Sequence, residues 1–135
     1  VTQLSLNRGA SFAEHLRLAE KLKPLREQGY LIVASGNIVH NLRKINWQDV
    51  NAAWPWAVTF DEQVRAALEA REFERLVTFD GFDRAAVVES VPTTEHYVPL
   101  LYAAGASDKQ DKIEFPFAEI QNGSISMRTV LMGGT

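Results

Sequence analysis

Apolar residues recur along this chain at two different periods, and the switches between them predict its elements. Residues 1–6 (VTQLSL) alternate weakly and predict a short strand, and Arg8, Gly9 and Ala10 a turn. Ser11 and Glu14 have the spacing of a capping box, in which each side chain satisfies the other's free amide. Phe12, Leu16, Ala19, Leu22 and Leu25 then follow at helical intervals. Pro24 predicts a kink or the last turns of that helix, and Gly29 its end. Residues 30–35 (YLIVAS) form a continuous apolar run, the pattern of a strand covered on both faces. Gly36 and Asn37 break it.

Residues 43–57 carry Trp47, Trp54, Pro55 and Trp56 and predict an ordered aromatic loop. Thr59 and Glu62 repeat the capping-box spacing, with Val64, Ala67, Leu68 and Ala70 continuing a helix. Residues 72–76 extend it or begin another, and residues 82–90 predict one more. Pro92 stops that one. Thr93 or Thr94 then caps a helix through Leu101 to Ala104, ended by Gly105. Residues 113–120 and 124–132 predict a closing strand pair, with Asn122 and Gly123 as its turn. Pro116 marks the first of these as an edge strand or a broken one.

A helix, then a buried strand, then a glycine loop is the grammar of an α/β domain. Ligands of open α/β sheets gather at the carboxyl ends of strands, the place that residues 35–42 occupy. The 135 residues suit one domain, without repeats or flexible linkers. The chain opens on a strand-like segment without a Met, and the expectation is that upstream residues are missing.

Charge and composition narrow the chemistry. The net charge of −3 and the lack of a Lys/Arg cluster argue against nucleic acid. No apolar run approaches the roughly 20 residues of a membrane span, and a cytoplasmic protein is expected. Without cysteine there is no disulfide, thiolate metal site or thiol nucleophile. Nucleophile-elbow, P-loop and dinucleotide-binding motifs are absent.

Imidazole chemistry rests on His15, His40 and His96. His15, in the first helix, reads as a packing or polar residue at the helix border. His40 follows the buried run in a loop with Ser35, Gly36, Asn37 and Asn41. These small or amide-bearing neighbours let a substrate approach and fix a tautomer; a satisfied structural histidine is the equal alternative. His96 begins a helix, where a loop lines a cleft. Adjacent Glu95 points about 100° away on a helix, so the two seldom share a metal. The tryptophans form an aromatic wall or simply packing.

Four strings carry a resemblance: residues 29–43 (GYLIVASGNIVHNLR), Pro55-Trp56 with Phe60, residues 92–105 (PTTEHYVPLLYAAG) and residues 123–127 (GSISM). Residues 3–6 and 22–29 fit as well. In order and approximate spacing, across nearly the whole chain, they resemble the class III extradiol ring-cleavage dioxygenases, in the DOPA 4,5-dioxygenase-like branch. The resemblance implies an α/β fold with a central, mostly parallel sheet flanked by helices, of which residues 1–135 form the C-terminal portion. It implies an enzyme that opens a catechol-type, DOPA-like ring with O2 at a non-haem metal, Fe(II) for catalysis with zinc as the other candidate. A metal with open positions suits that reaction, because substrate and oxygen are bound together.

Under the resemblance His40 is the acid–base residue and is also counted at the metal, and His96 is a metal ligand. Asn37 and Asn41 support them, and Glu95 and Tyr97 are further substrate-side or supporting candidates. The family's additional metal-binding histidines have no counterpart in this chain. The expected partners are therefore a catechol, O2 and the missing N-terminal half, with self-association into a homo-oligomer as a further expectation. The alternative is a non-catalytic fragment of the same fold that binds an aromatic ligand or a partner. A hydrolase or lyase sharing only the architecture is a third reading.

Overall fold

Ser11 caps the first helix as its spacing predicts. In the computed structural model, which describes residues 1–134, the Ser11 hydroxyl accepts the Glu14 amide at 3.3 Å and the Glu14 carboxylate accepts the Ser11 amide at 2.7 Å. Helix α1 (Phe12–Glu20) follows. It does not run on to Leu25. Pro24 has no N–H to give the preceding turn, and its ring crowds the carbonyl there. The chain therefore breaks at Lys21 and restarts as α2 (Lys23–Glu27), with proline in the first turn, where no amide is missed.

The two expected N-terminal strands are not formed. Residues 1–6 and 30–35 carry neither helix nor strand. Among the described residues, 31–36 take part in no backbone–backbone hydrogen bond. Leu31 and Val33 are 87% and 79% exposed. A strand exists only through the ladder a neighbour offers, and here no segment lies alongside. The central, mostly parallel sheet is accordingly not seen among the described residues. The fold is α/β with helices and two small antiparallel sheets.

Proline placement also resets the later helices. Helix α3 (Pro55–Glu69) starts at Pro55 with Trp54 as its N-cap. Thr59 and Glu62 thus lie inside the helix and cap nothing. The Trp54 indole N–H donates to the Lys44 carbonyl at 2.7 Å and ties the aromatic loop to a short 3-10 turn at Leu42–Lys44. Helices α4 (Phe73–Thr78) and α5 (Arg84–Ser90) are separate, the latter capped by Asp83. Helix α6 (Val98–Ala106) begins beyond Thr93 and Thr94, with proline in its first turn. Gly105 does not end it. A Cβ there would stand 2.6 Å from the Ala19 Cβ and 2.9 Å from the Leu16 carbonyl oxygen. The glycine lets α1 and α6 pack backbone to backbone.

The closing strand pair splits in two. Strand β1 (Lys112–Phe117) pairs with β4 (Thr129–Gly133), and the register slips between Glu114 and Phe117, around Pro116. Between them β2 (Ile120–Gln121) and β3 (Ile125–Ser126) form the hairpin whose turn is Asn122 and Gly123, both left-handed at φ 51° and 81°. Phe60, Leu68, Leu76, Tyr97 and Leu101 are buried between α3, α4 and α6, with Val39 from the loop before the site. Among the described residues no helix is long and apolar enough to cross a membrane.

One charged residue sits in this interior. Asp61, on the buried face of α3, accepts the Ser126 hydroxyl at 2.6 Å and the Arg128 Nη2 at 2.5 Å. The two charged side chains are only 7% and 5% exposed. A buried charge stripped of its only partner costs about 3–5 kcal/mol, but Arg128 Nη2 also pairs with the half-exposed Glu62 at 2.5 Å. Asp61→Ala is therefore expected to lose stability in urea unfolding by less than that full amount, and Asp61→Ala with Glu62→Ala by more than the single change. A loss within the range of a surface substitution would show that the pair is solvated.

Candidate functional site

The loop after residue 35 is held from three sides. The Asn37 amide donates to the His96 carbonyl at 2.8 Å, and the Asn37 side chain donates to the Ser126 carbonyl at 2.8 Å. The His40 amide donates to the Ser90 carbonyl at 3.1 Å, at the end of α5. The Asn41 amide donates to the Ser124 carbonyl, and the Ser124 hydroxyl returns a bond to the Asn41 carbonyl at 2.8 Å. The Asn41 side chain donates to the Glu89 carbonyl at 2.7 Å and accepts the Arg43 amide. Gly36 makes this docking possible: a Cβ there would lie 2.4 Å from the His96 carbonyl oxygen. Gly36→Ala is expected to push the loop off the His96 turn and separate the two imidazoles, read as loss of the His40–His96 nuclear Overhauser contacts.

His40 and His96, far apart in sequence, are stacked face to face, ring centroids 3.5 Å apart and planes 18° from parallel. Both are partly buried. Glu95 stands beside them, one carboxylate oxygen 3.6 Å from His96 Nε2 and within 3.0 Å of the Thr93 hydroxyl. Its own backbone amide, the Thr93 hydroxyl, His96 and Arg8 hold its carboxyl below the ordinary range. His96 also borders a cleft of about 360 Å³ whose walls include Gly36, Asn37, Leu100, Ser126 and Arg128.

Tyr97 is a correction. Its ring packs at 5.5 Å from Phe12 and Phe79, and its hydroxyl donates to the Leu76 carbonyl at 2.9 Å. Burial raises its pKa far above the usual phenol value. Its side chain belongs to the core and presents nothing to a substrate. The residues that a reading of the sequence missed are Asp61, Arg128, Ser124 and Ser126. A signal existed for one of them: Asp61 falls on the apolar stripe of Ala57, Phe60, Val64 and Leu68, where an acid needs a partner.

Burial, and then the nearby His96, lower the His40 pKa below its ordinary 6.5. The folded chain thus favours neutral His40, able to accept a proton. The unfolded chain takes up that proton first, so this residue's contribution to stability is present above pH 6.5 and is lost as pH falls below it. Proton NMR titration is expected to place the His40 midpoint under 6.5. His96→Gln is expected to move it upward; a midpoint that ignores His96 would contradict the stacked geometry.

A metal does not fit these side chains as they stand. Among the described residues no group of three His, Asp, Glu or Cys side chains could hold one. Imidazole nitrogen binds a metal in the ring plane at roughly 2.0–2.1 Å. The two stacked rings have nearly parallel planes, so their lone pairs do not aim at one ion.

A family model described as the catalytic LigB subunit of aromatic ring-opening dioxygenase matches residues 1–131. The chain belongs to this family. It is 41% identical over 136 residues to the 4,5-DOPA dioxygenase extradiol of Escherichia coli K12, covering 98% of this chain and 49% of that protein. The 4,5-DOPA dioxygenase extradiol of Portulaca grandiflora is 29% identical over 126 residues, covering 93% of this chain and 46% of the relative. A crystal structure of an uncharacterized Escherichia coli K12 protein superposes with a TM-score of 0.87 at 41% identity, covering 96% of this chain and 53% of the other. The chain spans about half the length of the curated relatives it matches. This LigB-family match agrees with the resemblance carried by residues 29–43, 92–105 and 123–127.

Proposed function

We propose that this chain is the acid–base portion of an extradiol dioxygenase that opens the ring of a catechol-type, DOPA-like substrate with O2. The observation that carries the reading is the stack of His40 on His96, fixed by Asn37, Ser90 and Ser124 backbone contacts. The names of the relatives support the same reaction class. A non-haem Fe(II), with zinc as the other candidate, would supply binding of both catechol oxygens and of O2. His96 and His40, whose rings as stacked do not converge on one ion, would serve that centre only after one ring turns and with ligands from a further segment, like the half of the relatives that this chain does not cover.

His40 has the properties of the base. Its lowered pKa favours the neutral form and its backbone is fixed, so a catechol bound beside the stack would release its hydroxyl proton to a ring nitrogen. Asn37 and Asn41 spend their hydrogen bonds on the loop backbone, so they position His40 and do not touch the reacting ring.

The test is reconstitution. The chain is loaded with Fe(II) without oxygen, alone and with the separately produced remainder of the Escherichia coli relative, and then given L-DOPA and air. Oxygen uptake and a yellow ring-opened product are expected in the combined sample. His40→Gln is expected to slow it by roughly 10²–10⁴-fold, the usual worth of a positioned acid or base. Full metal occupancy with no product would sink the reading.

A second reading rests on the apolar residues 30–35. Tyr30, Leu31 and Val33 are exposed, and residues 31–36 make no backbone–backbone hydrogen bond among the described residues. That combination suits a non-catalytic fragment that binds a partner segment or a second copy. Light scattering distinguishes it: a monomer indifferent to metal and to added polypeptide argues against this reading.

A further inference from the structure

His15 is buried, 3% exposed, and plays no part in the His40–His96 stack. Its Nδ1 lies 2.9 Å from the Tyr102 hydroxyl, itself in a residue only 5% exposed. Burial keeps that phenol protonated. In one of the two tautomers the Tyr102 hydroxyl donates to Nδ1. A neutral ring that accepts at Nδ1 carries its own proton on Nε2. Nε2 has no partner among the described residues, although His15 forms part of a cavity wall. In that tautomer the ring is an N–H donor at a cavity.

That cavity, about 170 Å³, is lined also by Asn7, Arg8, Thr94, Glu95 and Val98. Arg8 makes no ion pair within 4.0 Å among the described residues, so its charge is available. Glu95 lines it as well, and the same carboxylate stands 3.6 Å from His96 Nε2. The cavity therefore adjoins the histidine stack and is lined both by a cation, Arg8 beside the His15 ring, and by an acid.

We infer that this cavity binds the charged end of an amino-acid substrate, its carboxylate on Arg8 and the His15 Nε2–H and its ammonium on Glu95. The inference rests on the catechol-cleavage reading, because it places the ring of the same molecule at His40 and His96. A plain catechol fills only the stack side. An arylalanine fills both, and its zwitterionic end carries the charges complementary to a guanidinium and a carboxylate lining one cavity. Charged hydrogen bonds of this kind are the strong ones and add orientation to affinity.

Binding to the 135-residue chain is measured by NMR titration without oxygen, using L-DOPA, dopamine, 3-(3,4-dihydroxyphenyl)propanoate and 4-methylcatechol. L-DOPA is expected to bind tightest and to shift the His15 and Arg8 resonances, which 4-methylcatechol leaves in place. Arg8 is exposed, so Arg8→Ala leaves the fold intact. It is expected to weaken L-DOPA and the propanoate about tenfold or more, with dopamine and 4-methylcatechol unchanged. Glu95→Gln is expected to weaken L-DOPA and dopamine and to spare the propanoate. Nitrogen-15 spectra of the free chain are expected to show His15 protonated at Nε2. If the four ligands bind alike, or Arg8→Ala weakens them equally, the tail site is wrong while catechol binding stands. If none binds, the tail site is wrong, and the catechol reading stands or falls on the reconstituted sample.

Discussion

The Asn37 amide donates to the His96 carbonyl at 2.8 Å, and the placement of both imidazoles follows from that bond. It needs a neighbour without a side chain, because a Cβ on Gly36 would overlap the same carbonyl oxygen. Once it forms, the chain from residue 37 to 41 spends its amides on α5, on the hairpin and on the turn before α6. The loop has little freedom left, and His40 is delivered to His96 by backbone alone. The main-chain bonds fix where His40 lies, and the side chains of Asn37 and Asn41 reinforce them.

The same loop is anchored from below by charge. The Ser126 carbonyl receives the Asn37 side chain, and the Ser126 hydroxyl donates to Asp61, which also holds Arg128. The line Arg128, Asp61, Ser126, Asn37, His96 joins the closing hairpin, α3 and the histidine turn. Taking two charges out of water is costly, and replacing them with apolar residues often costs nothing in stability. What an apolar pair would not supply is direction. The Asp61 carboxylate accepts from a hydroxyl and a guanidinium at fixed angles, and these set the height at which Ser126 meets the loop.

Much of this was legible along the chain, for local reasons. The Ser11–Glu14 cap, the Asn122–Gly123 turn and the break at Pro116 depend on residues a few positions apart, and each stands in the structure. Helix starts at Pro55 and Val98 were misplaced because Thr59, Thr93 and Thr94 offered caps while the prolines decided the first turn. Gly105 resembled a stop because its reason for being glycine, the contact with Ala19 and Leu16, lies on another helix. The strands at 1–6 and 30–35 failed differently. Their apolar pattern describes two covered faces, and within residues 1–134 nothing covers them. His40 and His96 were picked out by the strings around them, and their stacking was not visible in any spacing. Adjacency to His96 says nothing about which way the Tyr97 ring turns, and it turns into the core.

Within one loop the backbone changes character over one residue. Residues 37–41 are anchored through the amides of Asn37, His40 and Asn41 and the carbonyl of Val39, whereas residues 31–36 make no backbone–backbone bond among the described residues. A constellation of side chains works when its geometry is fixed before the substrate arrives, and the backbone at both histidines meets that condition. His96 is 38% exposed at its side chain, and its nearest ionic neighbour is Glu95 at 3.6 Å. The contacts to Ser90 and Ser124 are made by the backbone amides of His40 and Asn41, and no side-chain hydrogen bond holds either ring among the described residues. Bringing two lone pairs toward a common point is therefore a side-chain rotation that leaves this backbone frame intact.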